Sequence, residues 1–175
     1  MRIRSCVLAL AAAVTLVASG CGSETDSSPA ADAPTSATPA AVSTSAAPLD
    51  AQAVLTRLTA AKVGLTGGAV QTEDTDPNDL LGRPNGYLSR ASADMPGGDP
   101  EGDKYTIDRG MVIEVFPTAA DADRRAQFIQ DALKNMPILG TEYHYRAGGG
   151  TVLVRVSGKV KPSVAKKAEA AVAAL

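Results

Sequence analysis

The run Met111-Val112-Ile113-Glu114-Val115-Phe116, closed by Pro117 and followed by Thr118-Ala119-Ala120-Asp121, decides how the chain is read. Side chains along a strand point alternately to opposite faces. Met111, Ile113 and Val115 therefore share one face, and Val112, Glu114 and Phe116 the other. Pro117 ends the ladder, and Thr118 with Asp121 resembles a capping box with Asp in place of Glu, the mark of a helix start. Ala122, Ala126, Ile129, Leu133 and Met136 then recur at helical spacing to about Asn135, with Phe128 and Ala132 widening the stripe. Pro137 and Gly140 stop it.

Working towards the C-terminus, Glu142 to Ala147 alternates again, with Tyr143 and Tyr145 opposite Glu142, His144 and Arg146. Gly148-Gly149-Gly150 turns the chain into Thr151 to Ser157, where Val152, Val154 and Val156 oppose Leu153 and Arg155; the pair reads as a hairpin. No helix follows the glycines and no Lys-Ser/Thr pair closes them, which excludes a phosphate loop. Pro162 opens a last helix with Val164, Ala168, Val172 and Leu175 on its apolar face. Towards the N-terminus, Tyr87 to Ala93 reads as a strand with Tyr87, Ser89 and Ala91 opposite Leu88 and Arg90. Leu65 to Thr72, with its double glycine, holds at most one short strand. Asp50 caps a helix to about Val63 (Val54, Leu55, Leu58 and Ala61 inward) that Gly64 stops. The order helix, short strand, two strands, helix, hairpin, helix indicates an α+β fold: an antiparallel sheet of about four to five strands with helices packed on one face. The passage from Met111 to Ala147 also allows two parallel strands, and the sheet order stays open.

Residues 49 to 175, about 127 in all, suit one domain with one core. The chain has no Trp, two Phe and four Tyr, so the core is aliphatic. The N-terminus has a different composition. Arg2 and Arg4 precede an apolar run from Val7 to Val17, too short to span a bilayer, and small residues follow: a secretory signal over 1–20. Arg2 and Arg4 are not adjacent, so the twin-arginine route is not indicated. Residues 21–48 are almost all Ser, Thr, Ala, Pro, Gly and Asp, a composition expected to stay disordered as a linker, with a root-mean-square reach of about 30 Å. The formal charge is −2, and losing Arg2 and Arg4 with the signal makes it −4. A mildly acidic chain argues against nucleic acid as a partner.

Ser19-Gly20-Cys21 resembles the lipobox of bacterial lipoproteins, with Ala18 where that pattern more often has Leu. The resemblance implies a diacylglyceryl group on Cys21 and an anchor at the outer face of the cell membrane, and two acyl chains hold stably where one is marginal. Ordinary signal cleavage leaving a free Cys21 is the alternative. A lone exposed thiol in an oxidising compartment is then left without a role, because Cys6 departs with the signal.

Catalytic and metal constellations are sparse. His144 is the one histidine and the domain has no cysteine, so neither a zinc site nor a Ser-His-Asp arrangement is supported, and no cofactor is expected. Asp74, Asp76 and Asn78 fall at the first, third and fifth positions of a calcium loop. Asp79 and Asn85 then stand where Gly and Glu are needed, so the segment reads instead as a capped turn, with Asp76 as N-cap, Pro77 at N1 and Gly82 as stop. Glu114, polar within the most apolar strand, reads as a cross-strand partner for Arg. If the apolar sides of the strands meet the helices, the opposite face collects Arg90, Glu114, Glu142, His144, Arg146 and Arg155, a candidate docking surface.

Asp74-Thr75-Asp76-Pro77-Asn78-Asp79-Leu80-Leu81-Gly82-Arg83-Pro84 with Tyr87-Leu88-Ser89-Arg90, then Ile113-Glu114-Val115-Phe116, Ala122-Asp123-Arg124-Arg125 and Glu142-Tyr143-His144-Tyr145, is similar to small secreted lipoproteins of actinobacteria. That resemblance covers most of 49–175 and implies location and fold, without an activity. The expected function is a membrane-anchored, extracytoplasmic, non-enzymatic lipoprotein whose domain binds an envelope protein or a small ligand. The competing expectation is a cell-envelope hydrolase using carboxylates such as Asp76, Asp79 or Glu114, for which two carboxylates must converge in a cleft.

Overall fold

The computed structural model describes residues 49–175, and the expected signal, Cys21 and linker lie outside the described residues. The elements are α1 (Ala51–Ala60), β1 (Thr66–Val70), β2 (Ser89–Asp94), β3 (Gly110–Val115), α2 (Ala119–Asn135), β4 (Glu142–Ala147), β5 (Val152–Ser157) and α3 (Pro162–Ala173). The strands form one sheet in the order β1-β2-β3-β5-β4, with every neighbouring pair antiparallel. The fold is α+β. Since β3 and β4 both run antiparallel to β5, they share a direction, but β5 separates them and they do not pair.

Alternation decides the two faces. Ala91, Ala93, Met111, Ile113, Val115, Val152, Val154 and Val156 join Val54, Leu55 and Leu58 of α1 and Ala165, Ala168 and Val172 of α3 in the main core. Tyr143 and Tyr145 pack against it from β4. Burying each Val or Leu side chain contributes about 1.5–3 kcal/mol, so this layer supplies most of the driving force for folding. Local signals agree with it. Asp50 accepts from the Ala53 amide at the start of α1, and Pro162 opens α3 where its missing N–H is no loss.

Helices on one face describes α1 and α3; α2 lies across part of the other. Its Ala122 packs with Tyr87, Phe116 and Leu153, and Arg125 reaches down to Glu114 on β3. The Thr118 hydroxyl caps it, accepting from the Asp121 amide as the capping box requires. Only Ala122 and Ile129 are fully buried along its length. Leu133 and Ala132 are half-buried, and Phe128 and Met136 are exposed, against the expected apolar stripe.

Candidate functional site

The six polar residues expected on the second face all lie there, because the pleat leaves them no alternative. The register lines up Arg90, Glu114, Leu153 and Arg146 across four strands, and Ser92, Val112, Arg155 and His144 in the next row. Oppositely charged side chains thereby become neighbours. Arg155 donates through Nε and Nη2 to the two oxygens of Glu142, at 2.8 and 2.7 Å, and through Nη1 to Glu114 Oε1 at 3.2 Å. His144 Nε2 lies 2.9 Å from Glu142 Oε2, and Arg125 comes from α2 to 3.5 Å from Glu114. Arg146 donates to the Ala122 carbonyl and to Asp123, fastening β4 to the first turns of α2. Burial acts to raise the Glu142 carboxyl. The hydrogen bonds from Arg155 and His144 outweigh it and hold the pKa down at about 2.

A second centre forms beside it. Asp76 accepts at one oxygen from the Asn78 amide (3.1 Å) and the Tyr87 hydroxyl (2.5 Å), and at the other from the amides of Leu80 (2.8 Å) and Leu81 (3.0 Å). Burial opposes the charge on Asp76, yet these donors keep its pKa below the usual carboxylate range, while burial and the bond to Asp76 push Tyr87 up. Arg90 Nε stands 3.7 Å from Asp76; its Nη1 and Nη2 donate to Gln71 Oε1 and to the Tyr105 carbonyl. Tyr105 takes a positive φ of 67°, unusual for so bulky a residue, with its carbonyl fixed by Arg90. Gly86 has no alternative residue: a Cβ there would meet the Leu80 carbonyl oxygen at 1.9 Å.

This centre corrects one expectation. Residues 76 to 82 are successive turns without a helical turn, and Asp76 caps their amides directly. Nor do Asp74, Asp76 and Asn78 assemble a calcium loop: N–H and O–H groups aim at both Asp76 oxygens, where a cation would need free lone pairs. Tyr87 also departs from its expected side. It precedes β2, on the face of Phe116 and Leu153, with its ring edge-on to Phe116 at 5.9 Å.

No protein-family model, curated protein or solved structure matches this chain. Arg90, Glu114 and Arg155 are 1%, 0% and 7% exposed, and Glu142 and His144 show little more side chain. The charged face is an internal network partly covered by α2 and flanked by the 71–87 segment; Arg146 is its most open member, with 28% of its side chain exposed. Five of the six residues expected to form a docking surface are turned inward, and α2 covers part of the face. Of the carboxylates weighed for hydrolysis, Asp76 and Glu114 are turned inward on other side chains, and exposed Asp79 pairs with Arg83.

Large apolar groups are exposed elsewhere, along α2 and in the turn just beyond it. Phe128 is 67% exposed, Met136 50%, Ile138 94% and Leu139 56%. Phe128, Ala132 and Met136 follow one another at four-residue spacing, so they form one row along the helix. The Met136 amide still bonds the Ala132 carbonyl, and a turn over Pro137–Leu139 carries Ile138 and Leu139 onward from the row. Leu49, Leu88, Phe116, Gly148 and Thr151 line a hollow at one end of the strands. Leu139, Thr141, Ser157 and Lys159 line another at the opposite end. The apolar tip therefore stands at the end away from Leu49, where the described chain begins. The sequence signal for this strip was the very stripe read as buried: it holds more apolar residues than the sheet beneath covers.

Proposed function

We propose that this chain is an exported lipoprotein, held at the outer face of the cell membrane by acylated Cys21, whose domain is a non-enzymatic binding module. The exposed strip of Phe128, Met136, Ile138 and Leu139 carries the reading. An exposed apolar patch on a folded domain marks a contact surface, and the tip of this one stands at the end of the strands away from Leu49. The likeness of the 74–90 segment to actinobacterial lipoproteins supports the location. The structural use of Asp76, Tyr87 and Arg90 gives that segment a folding role, so its presence is explained without an active site.

Two measurements on the full-length chain in its native cells test the reading. Cys21→Ala is expected to remove acyl labelling and to shift the chain out of the membrane fraction; equal membrane retention of both forms overturns the anchor. A photocrosslinking residue at Ile138 is expected to give a discrete product, identified by mass spectrometry, that the same residue at exposed Asp79 does not give. The absence of any product at Ile138, with the chain present and folded, overturns the binding strip.

A further inference from the structure

We infer that the hollow between β1, β2 and the segment joining β2 to β3 is a binding site for a small monocarboxylate, held by the Ser92 hydroxyl and the Lys104 ammonium. It is separate from the strip along α2 and does not depend on it. The cavity measures about 190 Å³. At about 30 Å³ for each water, that is room for roughly six waters or a small organic acid. An irregularity in β1 stands at its edge: the register with β2 shifts between Thr66 and Ala69, and Gly67 there takes a φ of 58°. A bulge of this kind leaves a residue unpaired and bends the strand. Gly67 and Ala69 line the hollow from β1, and Ser92 and Asp94 from β2. Lys104, Tyr105 and Arg109 line it from the joining segment.

Arg90 Nη1 can only donate, so the Gln71 atom 2.9 Å from it is the amide oxygen. Gln71 Nε2 is then the donor to the Ala69 carbonyl at 2.8 Å and to Ser92 Oγ at 3.2 Å. Ser92 therefore accepts from Gln71, and its own proton has no acceptor among the described residues. Ser92 is only 6% exposed, and a buried hydroxyl needs a partner for that proton; the hollow is the space it lines. Charge points the same way. Arg109 donates to both oxygens of Asp94, at 2.7 and 2.6 Å, and its Nη1 donates to the Pro100 and Gly102 carbonyls, so this pair is complete. Lys104 is exposed and makes no ion pair among the described residues. Of the other acids in the segment, Asp99 and Asp108 pair with Lys159, and Glu101 and Asp103 do not line the hollow. Two cations thus meet one carboxylate there, with a hydroxyl proton and an ammonium left to donate. A monocarboxylate supplies the matching acceptor oxygens and a single negative charge. A phosphate dianion would leave negative charge unbalanced beside Asp94.

The test uses the full-length chain extracted in detergent, with lactate as the probe and saturation-transfer NMR observed on the lactate. Detergent micelles without the chain are the blank. Saturable transfer is expected, displaced by acetate and unaffected by chloride at equal ionic strength. Lys104→Gln, at an exposed position, is expected to raise the Kd of lactate about tenfold or more, the scale of a hydrogen bond to a charged group. Ser92→Ala is expected to raise it about two- to tenfold, the scale of a neutral one. Urea unfolding of both variants runs alongside, and Lys104→Gln decides the outcome if Ser92→Ala does not fold. No saturable transfer from the parent chain overturns the inference. Saturable transfer that Lys104→Gln leaves unchanged overturns it as well, because the acid then binds elsewhere. Displacement of lactate by inorganic phosphate at lower concentration than by acetate overturns the assignment to a carboxylate.

Discussion

At Glu142, burial favours the neutral acid, and Arg155 with His144 favours the carboxylate; the hydrogen bonds prevail. A folded-state pKa of about 2 against an ordinary 4.5 makes Glu142 a source of stability that is fully present above about pH 4.5 and is lost as the pH falls towards 2. The contribution is on the order of 3 kcal/mol. Urea unfolding of the parent and of Glu142→Gln across that window checks it. The gap between the two is expected to be wide at pH 7 and to close as the pH falls. A gap independent of pH would show that Glu142 acts through packing rather than charge. The alternation of Glu142, His144 and Arg146 against Tyr143 and Tyr145 was legible in the sequence, since period two is a local property. The burial of Arg90, Glu114 and Arg155 was not, because what covers them arrives from segments far away in the chain. Opposite signs on residues bound to become cross-strand neighbours were the available hint.

Among the elements, β3 and β5 are buried along their whole length, whereas α2 buries two residues and meets the sheet largely through Arg125, Gln130 and Arg146. Local opening is easiest where buried apolar contact is least. Amide hydrogen exchange is therefore expected to release α2 well before β3 and β5, and Thr118→Ala, which removes the cap at a cost of about 1 kcal/mol, is expected to advance α2 further. Equal protection of α2 and the central strands would contradict this. The ends of α2 were readable to within a residue from Thr118, Asp121 and Pro137. Its outer side was misread because periodicity reports how many apolar residues share a stripe, while the extent of the sheet below sets how many are covered. Tyr87 was misplaced for a related reason. Alternation was extended backwards from Ser89 to Tyr87, which lies before the strand begins.

Over the whole domain, the hydrophobic core and the apolar tip are separate. The main cluster lies between the sheet and α1 with α3, and Ile138 and Leu139 belong to neither buried cluster. Replacing both by Asp is expected to leave urea stability within about 0.5 kcal/mol of the parent, as for surface positions generally, while abolishing the crosslink at the strip. A loss of several kcal/mol would make the tip part of the core. The α+β class followed from the order of patterned segments alone. The strand order did not, because nothing local says that β5 inserts between β3 and β4.

That insertion has a consequence for the chain's history. The last strand to be synthesised is an interior one, seated between β3 and β4, so β3 stays an open edge and Glu114 waits for Arg155 until β5 has emerged. To cross a secretion channel, as the proposed export requires, a polypeptide must remain threadable until it has passed. Here the finishing strand is withheld to the end, so the topology itself delays closure.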